Sequence, residues 1–196
     1  GGVSIFSYAE VFFTARTIAE PLALVGLAAY FQRHFVWAAA AVTLAALIHP
    51  LQAIPVVLIL WFDLLRVNRK WGLLTLAPLI AAGLSWAGLP GWPDLFLRFD
   101  QAWLEMSTEA TPQTFIGLWQ LRDWVSIVTD LFLLVAVYQV TTNAMLRRLI
   151  VGSVVMTAVA IVVTYVGADT FHSVHITGLQ IWRTHWIVHW LAVSAV

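Results

Sequence analysis

Two groups of polar residues stand out from a strongly apolar chain, and both carry residue types that do chemistry. The first is Glu10, Arg16 and Glu20. Arg16 and Glu20 are four apart, so on a helix they share a face and can pair. Glu20-Pro21 then enters an apolar run. Charge in such a run is costly unless it is paired or lines a cavity. Two readings stay open here. One is an ion pair that holds a helix end. The other is an outward pocket offering an acid and a phosphate-reading arginine.

The second group is Asp169, His172, His175, Gln180, Arg183, His185 and His189. Four of the six histidines fall between His172 and His189. His185 and His189 are four apart on a helix, a spacing that can chelate one metal. His172 and His175 could add ligands. No HExxH or other closed metal pattern accompanies them, and there is no cysteine, so no thiolate site exists. The expectation is therefore no cofactor, with a divalent metal on these four histidines as the alternative. Histidine and tryptophan also sit comfortably at membrane interfaces. Arg183 is more pointed, because a planar guanidinium matches a phosphate bidentately. Glu10, Glu20 and Asp169 are the acids that could act as a catalytic base. Among the remaining polar residues, His49 reads as a cap on backbone carbonyls at a turn. Asp130 reads as near the interface or lining the bundle, and Asp63 as paired with Arg66 at a helix end.

Lipid is the environment that must position these groups. The 196 residues are 61% hydrophobic and only 10% charged, with mean hydropathy +0.87. Soluble domains carry about 25% charged residues. The net charge of zero gives no reason for a nucleic-acid partner. Apolar runs fall at Thr17–Gln32, Phe35–Ile48, Leu51–Leu65, Trp71–Leu89, Trp124–Thr142, Leu149–Val166 and from Thr184 onward. A spanning helix needs about 20 residues. The expected architecture is an all-α polytopic bundle of about seven membrane helices, forming a single transmembrane domain over residues 1–196. The chain begins Gly1-Gly2-Val3 and stops in an apolar run. That reads as an internal piece of a longer protein, with the last helix cut short.

Phe35–Leu65 as one helix would be about 46 Å long, against a hydrocarbon core of about 30 Å. Pro50 also removes a backbone donor and disfavours helix at His49. A hairpin turning at His49-Pro50 resolves both problems. It groups Arg33, Arg66, Arg69, Lys70, Arg147 and Arg148, six of the ten Lys/Arg, on one side. By the positive-inside rule that side is cytoplasmic. The loop Pro90–Asp123 then lies outside. In it Phe96, Phe99, Trp103 and Met106 recur at helical spacing, so Pro93–Met106 reads as an amphipathic helix lying in the interface. Trp71, Trp86, Trp92, Trp119, Trp124, Trp182 and Trp186 fall near helix ends, as an aromatic belt requires. Gly26, Gly83, Gly88 and Gly152 would let helices approach closely.

Four stretches carry a resemblance: Phe12 to Leu22 (FFTARTIAEPL), His49-Pro50-Leu51, Leu118 to Trp124 (LWQLRDW) and Leu179 to Arg183 (LQIWR). Together they resemble a group of bacterial polytopic membrane proteins of the inner membrane. That group's layout is similar to the GT-C superfamily of membrane glycosyltransferases. The resemblance implies sugar transfer from a polyprenyl-phosphate donor on the outer face, with membrane lipid as the partner. Such enzymes usually place a catalytic Asp or Glu in the first outer loop. Glu10 is the nearest acid to that position and matches no motif, so the base stays unassigned. Arg16 and Arg183 are the residues matched, by type and side, to lipid-phosphate binding, and Gln180 joins them from its place beside Arg183 at the outer end. The alternative is a transporter or a non-catalytic membrane scaffold. Transporters show paired broken helices in two repeated halves, and here one break and no repeat are visible.

Overall fold

The structure is a computed structural model that describes residues 14–194. Those residues are mostly helical, with no β-strand beyond a single bridge between Arg98 and Ser173. The main helices are α1 (Ala15–Phe31), α2 (Phe35–Ile48), α3 (Pro50–Val67), α4 (Leu76–Trp86), α5 (Gln101–Ala110), α6 (Leu121–Val140), α7 (Ala144–Thr164), α8 (Val174–Leu179) and α9 (His185–Ser194). A 3-10 turn, Arg69–Thr75, precedes α4, and a π turn, Tyr165–Thr170, extends α7.

Three helices are long and apolar enough to cross a membrane: Pro50–Val67, Leu121–Val140 and Ala144–Thr170. The expectation is about seven spans; among the described residues only these three helices have the length and composition to cross unaided. The reason is length. The 14 residues of α2, the 11 of α4 and the 10 of α9 rise only about 21, 16 and 15 Å. The 17 residues of α1 also begin with Arg16 and Glu20 in its first turns.

The break at His49-Pro50 is present. His49 is extended, with φ −152° and ψ 92°, and Pro50 opens α3 at a position that needs no backbone donor. His49 does not act as the expected carbonyl cap. Its Nδ1 is buried without a hydrogen-bond partner among the described residues. Helices α1 and α2 pack closely through small side chains. A Cβ on Gly26 would lie 2.6 Å from Val42 Cγ2 and 3.3 Å from the Ala38 carbonyl oxygen. Ala19, Ala23, Ala45 and Ala53 fill the core beside Val56, Ile59, Met156 and Ile187. Large apolar side chains such as Trp37, Leu47, Leu79 and Phe132 face outward instead. Small residues inside and large apolar ones outside suit packing in lipid, where close backbone approach drives association.

Helix direction follows from one carboxylate. The Tyr30 hydroxyl donates to Asp63 Oδ2 at 3.0 Å, and Arg148 Nε donates to Asp63 Oδ1 at 3.0 Å. Thus the end of α1, the end of α3 and the start of α7 lie together. Arg33, Arg66 and Arg147–Arg148 share that end of the bundle. The expected Asp63–Arg66 pair is not formed. Asp63 points inward and takes Arg148, while the Arg66 guanidinium lies 5.9 Å from the Phe62 ring centroid.

The outer segment departs from expectation. Helix α5 starts at Gln101, where Asp100 Oδ1 accepts the Trp103 amide at 2.8 Å. Phe96 and Phe99 precede it, so they do not share a helix face with Trp103 and Met106. Residues 97–99 pair instead with 172–174: the Phe99 amide donates to the His172 carbonyl, and the Val174 amide to the Leu97 carbonyl. Long-range backbone bonding overrides the local helical period. Nor do the seven tryptophans form one belt. Trp119, Trp182 and Trp186 are core residues.

Candidate functional site

Helix α6 buries Asp123, Ile127, Asp130 and Leu134, a stripe at helical spacing. Asp130 therefore faces inward although its side chain is ionisable. Helix α9 packs against this stripe. Val188 and Ala192 meet Leu134 and Ile150 in one cluster. The four-residue spacing of His185 and His189 aims both imidazoles at α6. Both reach the same oxygen: His185 Nε2 lies 3.1 Å and His189 Nδ1 2.9 Å from Asp130 Oδ2. The side chains of His185 and Asp130 are 1% and 7% exposed, and that of His189 is 35% exposed.

An ionised carboxylate only accepts hydrogen bonds, so each imidazole must present an N–H to Asp130. His185 turns its Nε2, and His189 its Nδ1, towards that oxygen. A histidine held this way by a buried aspartate is a preorganised proton acceptor, the arrangement of catalytic His–Asp pairs.

Just before α9, the chain takes a strained turn. Gln180 ends α8 in the left-handed conformation, φ 46° and ψ 41°, where glycine or asparagine is usual. Two contacts hold it there. Its carbonyl accepts the Arg183 amide at 3.0 Å, and its side-chain Oε1 accepts Arg183 Nε at 2.5 Å. The Arg183 guanidinium also lies 5.3 Å from the Trp182 ring centroid. Trp182 in turn packs edge-on against Trp119 at 5.7 Å. Gln180 and Arg183 thus form one rigid unit two residues ahead of His185.

The other sequence candidates make contacts of their own. Arg16 Nε lies 3.9 Å from Glu20 Oε2, the ion-pair reading of that motif. Glu20 Oε1 also accepts Trp190 Nε1 at 3.0 Å, which ties this pair to α9 one residue beyond His189. Asp169 is occupied as a clamp. Its two oxygens accept the Ile116 amide at 3.0 Å and the Gly117 amide at 2.7 Å, which fixes the turn before α6. His175 bonds the Asp94 carbonyl at 2.7 Å, and the His172 carbonyl accepts Phe99. Among the four histidines, only His185 and His189 come together. No group of three or more metal-ligating side chains suited to an ion occurs among the described residues. Glu10 lies outside the described residues.

Asp130 is the residue that sequence reasoning undervalued. The signal was an acid inside an apolar run in a chain that also carries two histidines four apart. Compared with family models, with curated proteins and with solved structures, the chain matches none.

Proposed function

We propose that this chain is a multi-pass protein of the bacterial inner membrane that transfers a sugar from a polyprenyl-phosphate donor on the outer face. The observation that carries the reading is the spacing of Arg183 and the Asp130–His189 pair. A fixed guanidinium and a histidine oriented by a buried aspartate lie within seven residues of one another along the chain. In this reading Arg183 binds the donor phosphate, and Gln180 orients it. His189 Nε2 takes the proton from the acceptor hydroxyl. The acceptor oxygen bonds to the anomeric carbon as the carbon–oxygen bond to phosphate breaks, and polyprenyl phosphate leaves. Arg16 and Glu20 stand at the membrane surface as a second polar pair.

The test is release of polyprenyl phosphate from polyprenyl-phosphate sugars by the full-length protein in proteoliposomes. Turnover is expected. His189→Ala should slow it by about 10²- to 10⁴-fold, the usual worth of a general base. Arg183→Lys keeps the charge but loses the planar fork. If that variant keeps full activity and lipid-phosphate binding, Arg183 does not read the phosphate. If folded wild-type protein releases no polyprenyl phosphate from any donor, the reading fails.

A second reading, a proton-coupled transporter, is favoured by the depth of Asp130. It lies about 14 Å along α6 from Leu121, near the middle of a spanning helix. Proton uptake into proteoliposomes that Asp130→Asn abolishes, without sugar transfer, would decide for it.

A further inference from the structure

One end of the bundle carries Arg33, Arg66, Arg69, Lys70, Arg147 and Arg148. Asp63 is the one carboxylate at that end among the described residues, so six cations against one acid leave five positive charges. Asp63 is also buried and taken up by Arg148 and Tyr30, so it does not neutralise the surface. Two of the other arginines lie over aromatic rings. Arg66 stands 5.9 Å from the Phe62 centroid and Arg147 4.4 Å from that of Tyr138. Stacking fixes a guanidinium while its N–H groups still point outward in its plane.

The segment C-terminal to Arg66 makes the patch more than a charge bias. The 3-10 turn Arg69–Thr75 presents Arg69 and Lys70, both exposed, and then Trp71, Leu73 and Leu74, which are 42%, 65% and 53% exposed. Trp61 Nε1 donates to the Trp71 carbonyl at 3.1 Å and anchors this turn to α3. Cations and bare apolar side chains are thus offered side by side on one anchored segment. A free phosphate would use only the cations, and an acidic protein surface would leave the leucines in water. A molecule that joins a negative phosphate to hydrocarbon uses both.

We propose that this end of the bundle is a binding site for an anionic phospholipid. Arg66, Arg69 and Lys70 hold the headgroup phosphate, and Trp71, Leu73 and Leu74 lie along the acyl chains. Arg33 and Arg147 add to the attracting field. The site is independent of the outer polar centre and of any sugar transfer.

The test is lipid retention by the purified full-length protein in native mass spectrometry, with phosphatidylglycerol against phosphatidylcholine as probes. Phosphatidylglycerol should be retained at least about tenfold better, and excess inorganic phosphate should not displace it. The variant carrying Arg66→Gln, Arg69→Gln and Lys70→Gln should lose the preference, and Lys70→Gln alone should weaken it about fivefold. Arg98→Gln with Arg122→Gln, at other positions, should leave it unchanged. Equal retention of both lipids would overturn the proposal, as would a full preference in both the triple and the Lys70→Gln variants. Displacement by phosphate would reassign the site to free phosphate. Equal loss in the Arg98/Arg122 variant would reduce it to overall charge.

Discussion

Asp63 and Arg148 stand 85 residues apart in sequence and meet in a two-point pair, Arg148 Nε on Asp63 Oδ1 and its terminal nitrogen on Oδ2. Asp63 is almost wholly buried, whereas the Arg148 side chain is 41% exposed. The pair fixes where α3 and α7 cross, and Tyr30 brings α1 to the same point. Breaking a buried pair typically costs about 3–5 kcal/mol, but the solvated arginine lowers that here. Asp63→Ala should destabilise the protein by about 2–3 kcal/mol. Thermal unfolding in detergent would measure this. A double-mutant cycle with Arg148→Ala should show coupling, and strict additivity would contradict a specific pair.

Gly26 and Gly83 should respond oppositely to the same substitution. At Gly26 a methyl group meets Val42 and the α2 backbone, whereas at Gly83 nothing lies within 4 Å. Gly26→Ala should cost about 1–3 kcal/mol through overpacking. Gly83→Ala should be neutral or stabilise by up to about 1 kcal/mol, from its better helix propensity. Equal effects at the two sites would refute the close α1–α2 crossing.

Asp169 should matter for the order of the turn before α6. Asp169→Ala leaves the Ile116 and Gly117 amides without their acceptors, at a cost of about 1–3 kcal/mol. Faster hydrogen exchange at these two amides is expected. Unchanged protection there would show that the clamp does not hold the turn.

Topology gives the fourth prediction. The basic end should face the cytoplasm and α5 the outside. The chain contains no cysteine, so single cysteines report cleanly. Glu109→Cys should react with an impermeant thiol reagent on intact cells, and Arg69→Cys should not. Labelling of Arg69→Cys from outside would invert the arrangement.

Local chemistry by itself determined much of this chain. Pro50, whose ring cannot continue a helix, set the break between α2 and α3 within a residue of where hydropathy and length placed it. Apolar runs located α1, α2, α3, α6 and α7, because burial of such residues depends on composition. The i,i+4 spacing that pairs Arg16 with Glu20 was readable for the same reason. Tertiary structure decided which partner each charge found. Asp63 had Arg66 three residues away but turned inward to Arg148. Asp130 met two histidines more than fifty residues downstream, and Asp169 closed a turn more than fifty residues upstream. The Pro93–Met106 period failed as well, because residues 97–99 found backbone partners at 172–174. Sequence spacing fixes which side chains share a helix face. Which faces meet depends on how whole helices cross, and small residues such as Gly26 and Gly152 settle that only once the bundle has packed.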